Sequence, residues 1–263
     1  MANLKRDNHY LPECYQKGFT NASGQVWVKF AGKEPEPRNP KSVGRKRSLY
    51  ILKNEDGSET DRVEDWFAEE VETPFAALSQ RITTEQEKFS EISGAELGIL
   101  ARFVASQLMR TMGHKESIEE QAGSPVDSNT FVRVMVKKTW RLMDEWIKNP
   151  PNFYFYTSLP HVADQFITGD SPVLVMHENY SPVWTPTAQP TLSITNLEDI
   201  LKNPKHGFQL SLSPYICVCL QGVGGQVRLP PQTVDPQNVR SFNDLIRGQS
   251  NLFTLAKDAK SLG

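Results

Sequence analysis

The chain has 263 residues, with Lys+Arg 29 against Asp+Glu 31 and a formal net charge of -2. So even a balance excludes a global basic field that would draw nucleic acid to the whole surface, and it excludes the acidic excess of a solvating chain, so any nucleic-acid contact must come from a local patch. The start, Met-Ala-Asn-Leu-Lys-Arg-Asp-Asn, lacks the apolar stretch of a secretory signal and no apolar run is long enough to cross a bilayer, so the expectation is a cytoplasmic protein.

Taken in order, Pro12 and Gly18 bracket a helical turn over 13–17, with proline at its start and glycine at its end. Residues 25–30 alternate as a strand, 32–40 read as a charged Gly/Pro loop, and 48–52 read as a second strand closed by a turn at 54–57. From 61 to 82 the apolar positions Val63, Phe67, Val71, Phe75, Leu78 and Ile82 recur at helical spacing, with Asp61 as N-cap. A second helix, 93–112, is apolar over most of its circumference and is expected to be surrounded by protein. A third spans 127–148, and Asn149-Pro-Pro-Asn152 ends it.

Beyond that break, short β-rich segments follow at 153–157, 165–168, 173–177, 208–213 and 215–221. A helix at 235–247 and a closing strand at 252–255 complete the chain. Strands, then helices, then strands, without regular βαβ alternation, predict an α+β fold. The expectation is one domain, 1–263, with an N-terminal strand region 1–60, a helical region 61–148 and a β-rich region 152–258. The N-terminal strands should join or abut a C-terminal antiparallel sheet around a central group of helices. Cys217 and Cys219 share one face of a strand. With Cys14 they fit a reducing compartment, and the pair reads as core rather than as half a zinc site. The glycines of 221–225 read as a hairpin turn, because no helix opens after them.

The polar residues His9, Glu64, Gln107, Arg110 and Asp170 are candidates for one site, because each sits among apolar neighbours where an unpaired polar group would be penalised. Glu64 projects within the apolar sector of its helix, whereas Asp65, Glu69 and Glu72 fall together on the opposite, solvated side. Gln107 and Arg110 lie one turn apart, and Arg110 suits a phosphate or carboxylate, with a structural Arg–Glu pair to Glu64 as the alternative. His9 suits metal ligation or proton transfer. His114, at a helix end, reads as solvated. Arg45, Lys46 and Arg47 form a basic run beside Gly44, whose lack of a side chain would let a phosphate backbone approach.

His9-Tyr-Leu-Pro12 with Tyr15 and Gly18-Phe19, Val26-Trp-Val28, Leu49-Tyr50, the Glu64 helix, Gln107-x-x-Arg110-Thr111, Phe166-Ile-Thr-Gly-Asp-Ser-Pro-Val173 and Leu212-Ser-Pro214 resemble an uncharacterised bacterial family, catalogued as domain of unknown function 4238. The resemblance implies a soluble bacterial or phage-borne protein and brings no reaction with it. The leading functional expectation is a metal-dependent phosphoester hydrolase, a nuclease among the options. His9, Glu64 and Asp170 would hold Mg, Mn or Zn, Gln107 would orient the substrate, and Arg110 would stabilise phosphate charge. The rival is a non-catalytic binding or sensor module that recognises nucleic acid or a protein and whose polar network is structural, and a third option is metal-free acid–base chemistry on a nucleotide.

Overall fold

The computed structural model describes residues 4–159, 164–176, 207–227 and 230–263. The described chain is an α+β fold. Its strands are β1 (Asp7–His9), β2 (Val26–Phe30), β3 (Glu36–Arg38), β4 (Arg45–Arg47), β5 (Leu52–Lys53), β6 (Glu59–Thr60), β7 (Asn152–Thr157), β8 (Thr168–Gly169), β9 (Val173–Met176), β10 (Gly207–Ser213), β11 (Ile216–Gln221), β12 (Gln232–Thr233) and β13 (Phe253–Ala256). Its principal helices are α1 (Glu13–Gln16), α2 (Arg62–Trp66), α3 (Thr73–Thr84), α4 (Gly94–Met109), α5 (Met112–Ala122), α6 (Ser128–Lys148) and α7 (Pro236–Gln249).

The larger sheet runs β12-β7-β11-β10-β9. Its alternating residues divide between two apolar clusters. Phe153, Phe155, Val218, Leu220 and Leu210 join the core shared with α3, α4 and α6. Tyr156, Cys217, Cys219 and Leu174 join Val239, Phe242 and Ile246 of α7 on the other side. Covered on both faces, these strands are apolar nearly throughout, unlike the half-solvated strands that alternate cleanly. Cys217 and Cys219 are buried free thiols within this packing, as their shared strand face implied. The second sheet, β3-β2-β13-β8, joins the N-terminal β2 to the C-terminal β13.

Several expected elements take a different form. The 48–52 strand is replaced by a turn, because Ser48 adopts φ 58 and breaks the extended run, while Leu49 and Tyr50 point into the core. The charged run Arg45–Arg47 is a strand instead, held by antiparallel pairing to Asp7–His9 rather than by its own propensity. Within the expected 32–40 loop, Glu36–Arg38 forms an edge strand on β2. Of 165–168 only Thr168 enters a ladder; Phe166 and Ile167 are buried beneath α7. The 221–225 turn does not return as a hairpin. It carries the chain across to β7, where Val227 and then β12 pair in parallel. His177, expected to close a strand, lies outside the described residues.

The helix expected over 61–82 is continuous but not uniformly α-helical. Phe67–Glu72 forms a π-helical turn between α2 and α3. Pro74 supplies the cause, since it has no N–H for the carbonyl of Glu70 one α-turn earlier. That carbonyl accepts from Arg102 Nη1 instead, at 3.1 Å, and the Thr73 hydroxyl donates to the Ala68 carbonyl at 2.8 Å. The 93–112 helix is in fact two. A capping box at Ser93 and Glu96 opens α4, Arg110 leaves helical geometry at φ -97, ψ 4, and the Thr111 side chain caps α5 through the His114 N–H at 3.2 Å.

Candidate functional site

The break between α4 and α5 directs Arg110 into the core, where its side chain is wholly buried. Its guanidinium is enclosed by protein partners: Nε donates to the Tyr50 hydroxyl at 3.2 Å, Nη1 to Glu72 at 2.7 Å, and Nη2 to the His9 backbone carbonyl. Its central carbon lies 4.1 Å from the Phe67 ring centroid and 5.3 Å from that of Tyr50, so aromatic faces also contribute attraction. Burial opposes the charge, yet Tyr50, Glu72 and Glu64 together hold the Arg110 pKa above its ordinary value.

The ion pair is with Glu72, not Glu64, which corrects the expectation that Glu72 belongs to a solvated face. On an uninterrupted α-helix the two glutamates would stand about 80° apart. The π turn adds roughly one residue to the path and removes about 100° of rotation, swinging Glu72 under Glu64 and toward Arg110. Glu64 keeps an inward position, with Oε2 buried and without a hydrogen-bond partner. Burial raises its carboxyl to about 7 against the pull of Arg110, and the like charge of Glu72 adds to the rise. Glu64 is therefore a reserve carboxyl beside an ion pair already formed.

His9 meets this network through its backbone. Its imidazole is 3.2 Å from the Lys41 carbonyl through Nε2, and burial lowers its pKa, so the neutral ring donates from Nε2. The neighbouring Asn8 completes the anchor: it accepts from the Tyr50 N–H at 3.0 Å and donates to the Lys5 carbonyl at 3.0 Å. Asp170 binds backbone, accepting from Leu252 N–H at 3.1 Å and Phe253 N–H at 3.5 Å, and its charge acts on Tyr10, next to His9. Burial raises its carboxyl to about 6. Among the described residues no group of three or more His, Cys, Asp or Glu is placed to hold a metal ion, and the His9, Glu64 and Asp170 side chains form no such set.

The basic ribbon is exposed throughout and is matched by acids only in part. Arg45 lies 3.4 Å from Asp7, while the adjacent Arg6 and Lys5 pair with Glu59 at 2.6 Å and Asp65 at 2.7 Å. Gly44 serves chain packing: at φ +65, its carbonyl accepts from Tyr10 and Leu11, and a Cβ there would stand 2.6 Å from the Leu11 Cβ. That close approach is by Leu11, where a phosphate backbone had been expected.

Gln107 belongs to a different place. With Leu108, Thr111, His114, Glu116 and Ser171 it lines a half-open cleft of about 330 Å³, completed by residues including Glu120, Gln249 and Asn251. His114, expected to be solvated, is 3% exposed, and Gln107 is fully buried. Gln107 Oε1 and both His114 ring nitrogens have no hydrogen-bond partner within the protein. Unpaired groups of this kind cost about 1–3 kcal/mol each when kept from water. Burial drives the His114 pKa down to about 3, with Lys138 acting in the same direction, so its ring is neutral and offers one donor and one acceptor. Glu72, Tyr50 and His114 are the residues that sequence reasoning passed over. Pro74 was the available signal for the first.

Fold and site define an α+β protein built around a buried arginine ion pair, with a polar cleft at the adjoining helix junction. The chain belongs to the family described as "Protein of unknown function (DUF4238)", whose model matches residues 7–260. No curated protein and no solved structure matches it. No helix among the described residues is long and apolar enough to cross a membrane.

Proposed function

We propose that the protein is a non-catalytic binding module, with the Arg110 network serving the fold and the cleft beside it serving recognition. The observation that carries this reading is the enclosure of Arg110: with no exposed side-chain surface and each guanidinium nitrogen directed at a protein acceptor, it has no face left for a substrate phosphate. A phosphoryl-transfer site instead needs cationic or metal charge aimed at the oxygens of the reacting group. The cleft supports recognition because it is concave, of a size at the lower end for small-ligand sites, and carries buried polar atoms awaiting partners.

The test is an assay of the purified chain against bis-p-nitrophenyl phosphate, single- and double-stranded DNA, and RNA, each with Mg²⁺, Mn²⁺ or Zn²⁺. The expected result is no turnover. Hydrolysis that disappears in Glu64→Gln, with the melting temperature not lowered, would overturn the reading and restore a metal-dependent hydrolase.

A further inference from the structure

We infer that the cleft between α5 and the 171–173 segment is a binding site for a compact organic cation, a protonated amine or a guanidinium. The inference deepens, and rests on, the reading of the chain as a binding module. At the rim Glu116 and Glu120 are exposed and one turn apart on α5, so they project on the same side. Among the described lining residues there is no Lys or Arg. Lys138, the cation that acts on His114, does not line the cleft. The charged side chains among the described lining residues are therefore both acidic, which favours a cationic ligand over a phosphate or carboxylate.

Two acidic side chains on a helix would say little without the floor. Gln107 and His114, nearly or wholly buried, line the floor with polar atoms that have no protein partner. An amide oxygen and a neutral imidazole nitrogen are acceptors, and an ammonium or guanidinium carries donors alone. Thr111, Ser117 and Ser171 add hydroxyl oxygens around them. Neighbouring contacts hold the walls: Asn251 Nδ2 donates to Glu116 at 3.2 Å, and Gln249 Nε2 to the carbonyls of Ser171 and Val173. A ligand with cationic donors at both ends would span from the two carboxylates to the Gln107 amide. The gathering of acceptors without three metal-competent side chains points to an organic cation over a metal ion.

The experiment is calorimetric titration of the full chain with putrescine and agmatine, with 1,4-butanediol, glutarate and Mn²⁺ as controls, followed by mass analysis of the recovered ligand. Saturable binding of putrescine or agmatine, without binding of the diol or diacid, is expected. Gln107→Leu should preserve or raise the melting temperature, because it removes an unpaired buried amide. It should weaken amine binding about tenfold or more, as expected for loss of a charge-assisted hydrogen bond. Glu116→Gln and Glu120→Gln should each weaken it about two- to fivefold and flatten its salt dependence. Failure of both amines to bind, binding of Mn²⁺ alone, or amine binding unchanged in Gln107→Leu would overturn the proposal. Chemical conversion of a bound amine would uphold this site and overturn the non-catalytic reading, so the two inferences fail separately.

Discussion

Replacing Glu72 with Gln tests the energetic centre of the fold. The change keeps size and hydrogen-bonding shape but leaves Arg110, with 0% of its side chain exposed, facing a neutral amide; Glu72 itself is 22% exposed. Removing one partner of a fully buried pair costs about 3–5 kcal/mol, and the partial access of Glu72 to water brings the expected loss to about 2–3 kcal/mol at pH 8. Glu64 sets how that loss varies with pH. It interacts with Arg110 and is raised in part by Glu72, so removal of the Glu72 charge lets Glu64 ionise more readily. The defect in Glu72→Gln should therefore be larger at pH 6 than at pH 8. Glu64→Gln/Glu72→Gln should lose more than the sum of the single variants at pH 8, since no carboxylate remains to stand in. Urea unfolding at both pH values measures each stability, and the double-mutant cycle isolates the coupling. A Glu72→Gln loss below about 0.5 kcal/mol, or strict additivity in the cycle, would refute this account of Arg110.

Glu64→Gln alone should behave in the opposite sense. Its folded carboxyl is raised to about 7 from 4.5, so the native state holds a proton that the unfolded state releases, and stability from this group is lost as pH rises across that window. The variant should match the parent near pH 4.5 and gain on it by at most about 3 kcal/mol by pH 8, measured as melting curves across pH. His114→Leu should flatten the acid limb: with a folded pKa near 3 against 6.5, the histidine contributes stability above 6.5 that is lost as pH falls toward 3, and chemical denaturation from pH 7 to 4 reads the slope. Gly44→Ala should destabilise by more than about 1 kcal/mol, because it combines left-handed strain with a Cβ driven into Leu11; thermal unfolding within 1 °C of the parent would contradict it.

What was legible in the chain followed from periodicity and punctuation. The apolar circumference of α4, the helices that follow Asp127 and Asp235 and the shared face of Cys217 and Cys219 all read correctly because each depends on neighbours close in sequence, whereas Asp61 precedes its helix without a side-chain cap bond. The inward setting of Glu64 and Arg110 was legible for the same reason. Their partners were not. A wheel at 100° per residue sends Glu72 to solvent, and only the interruption imposed by Pro74 brings it back. β4 was hidden because its pairing with β1 lies across nearly forty residues of chain, and no local propensity makes Arg-Lys-Arg a strand. His114 looked exposed as long as the α4 helix was carried past Arg110; the Thr111 cap starts a new axis and turns the imidazole inward.

The π turn makes chain length itself a structural variable. Deleting one residue from the Phe67–Glu72 segment would let the backbone relax toward ordinary helical bonding, and by local criteria the result would be a better helix. It would also rotate everything before the deletion against everything after it by roughly 100°. Either Phe67 and Glu64 or Glu72 and Phe75 would then leave the core, and Arg110 would lose its carboxylate or its aromatic cover. Side chains in this stretch can vary one at a time, but their number cannot, so homologous chains that keep the buried arginine should align through it without a gap.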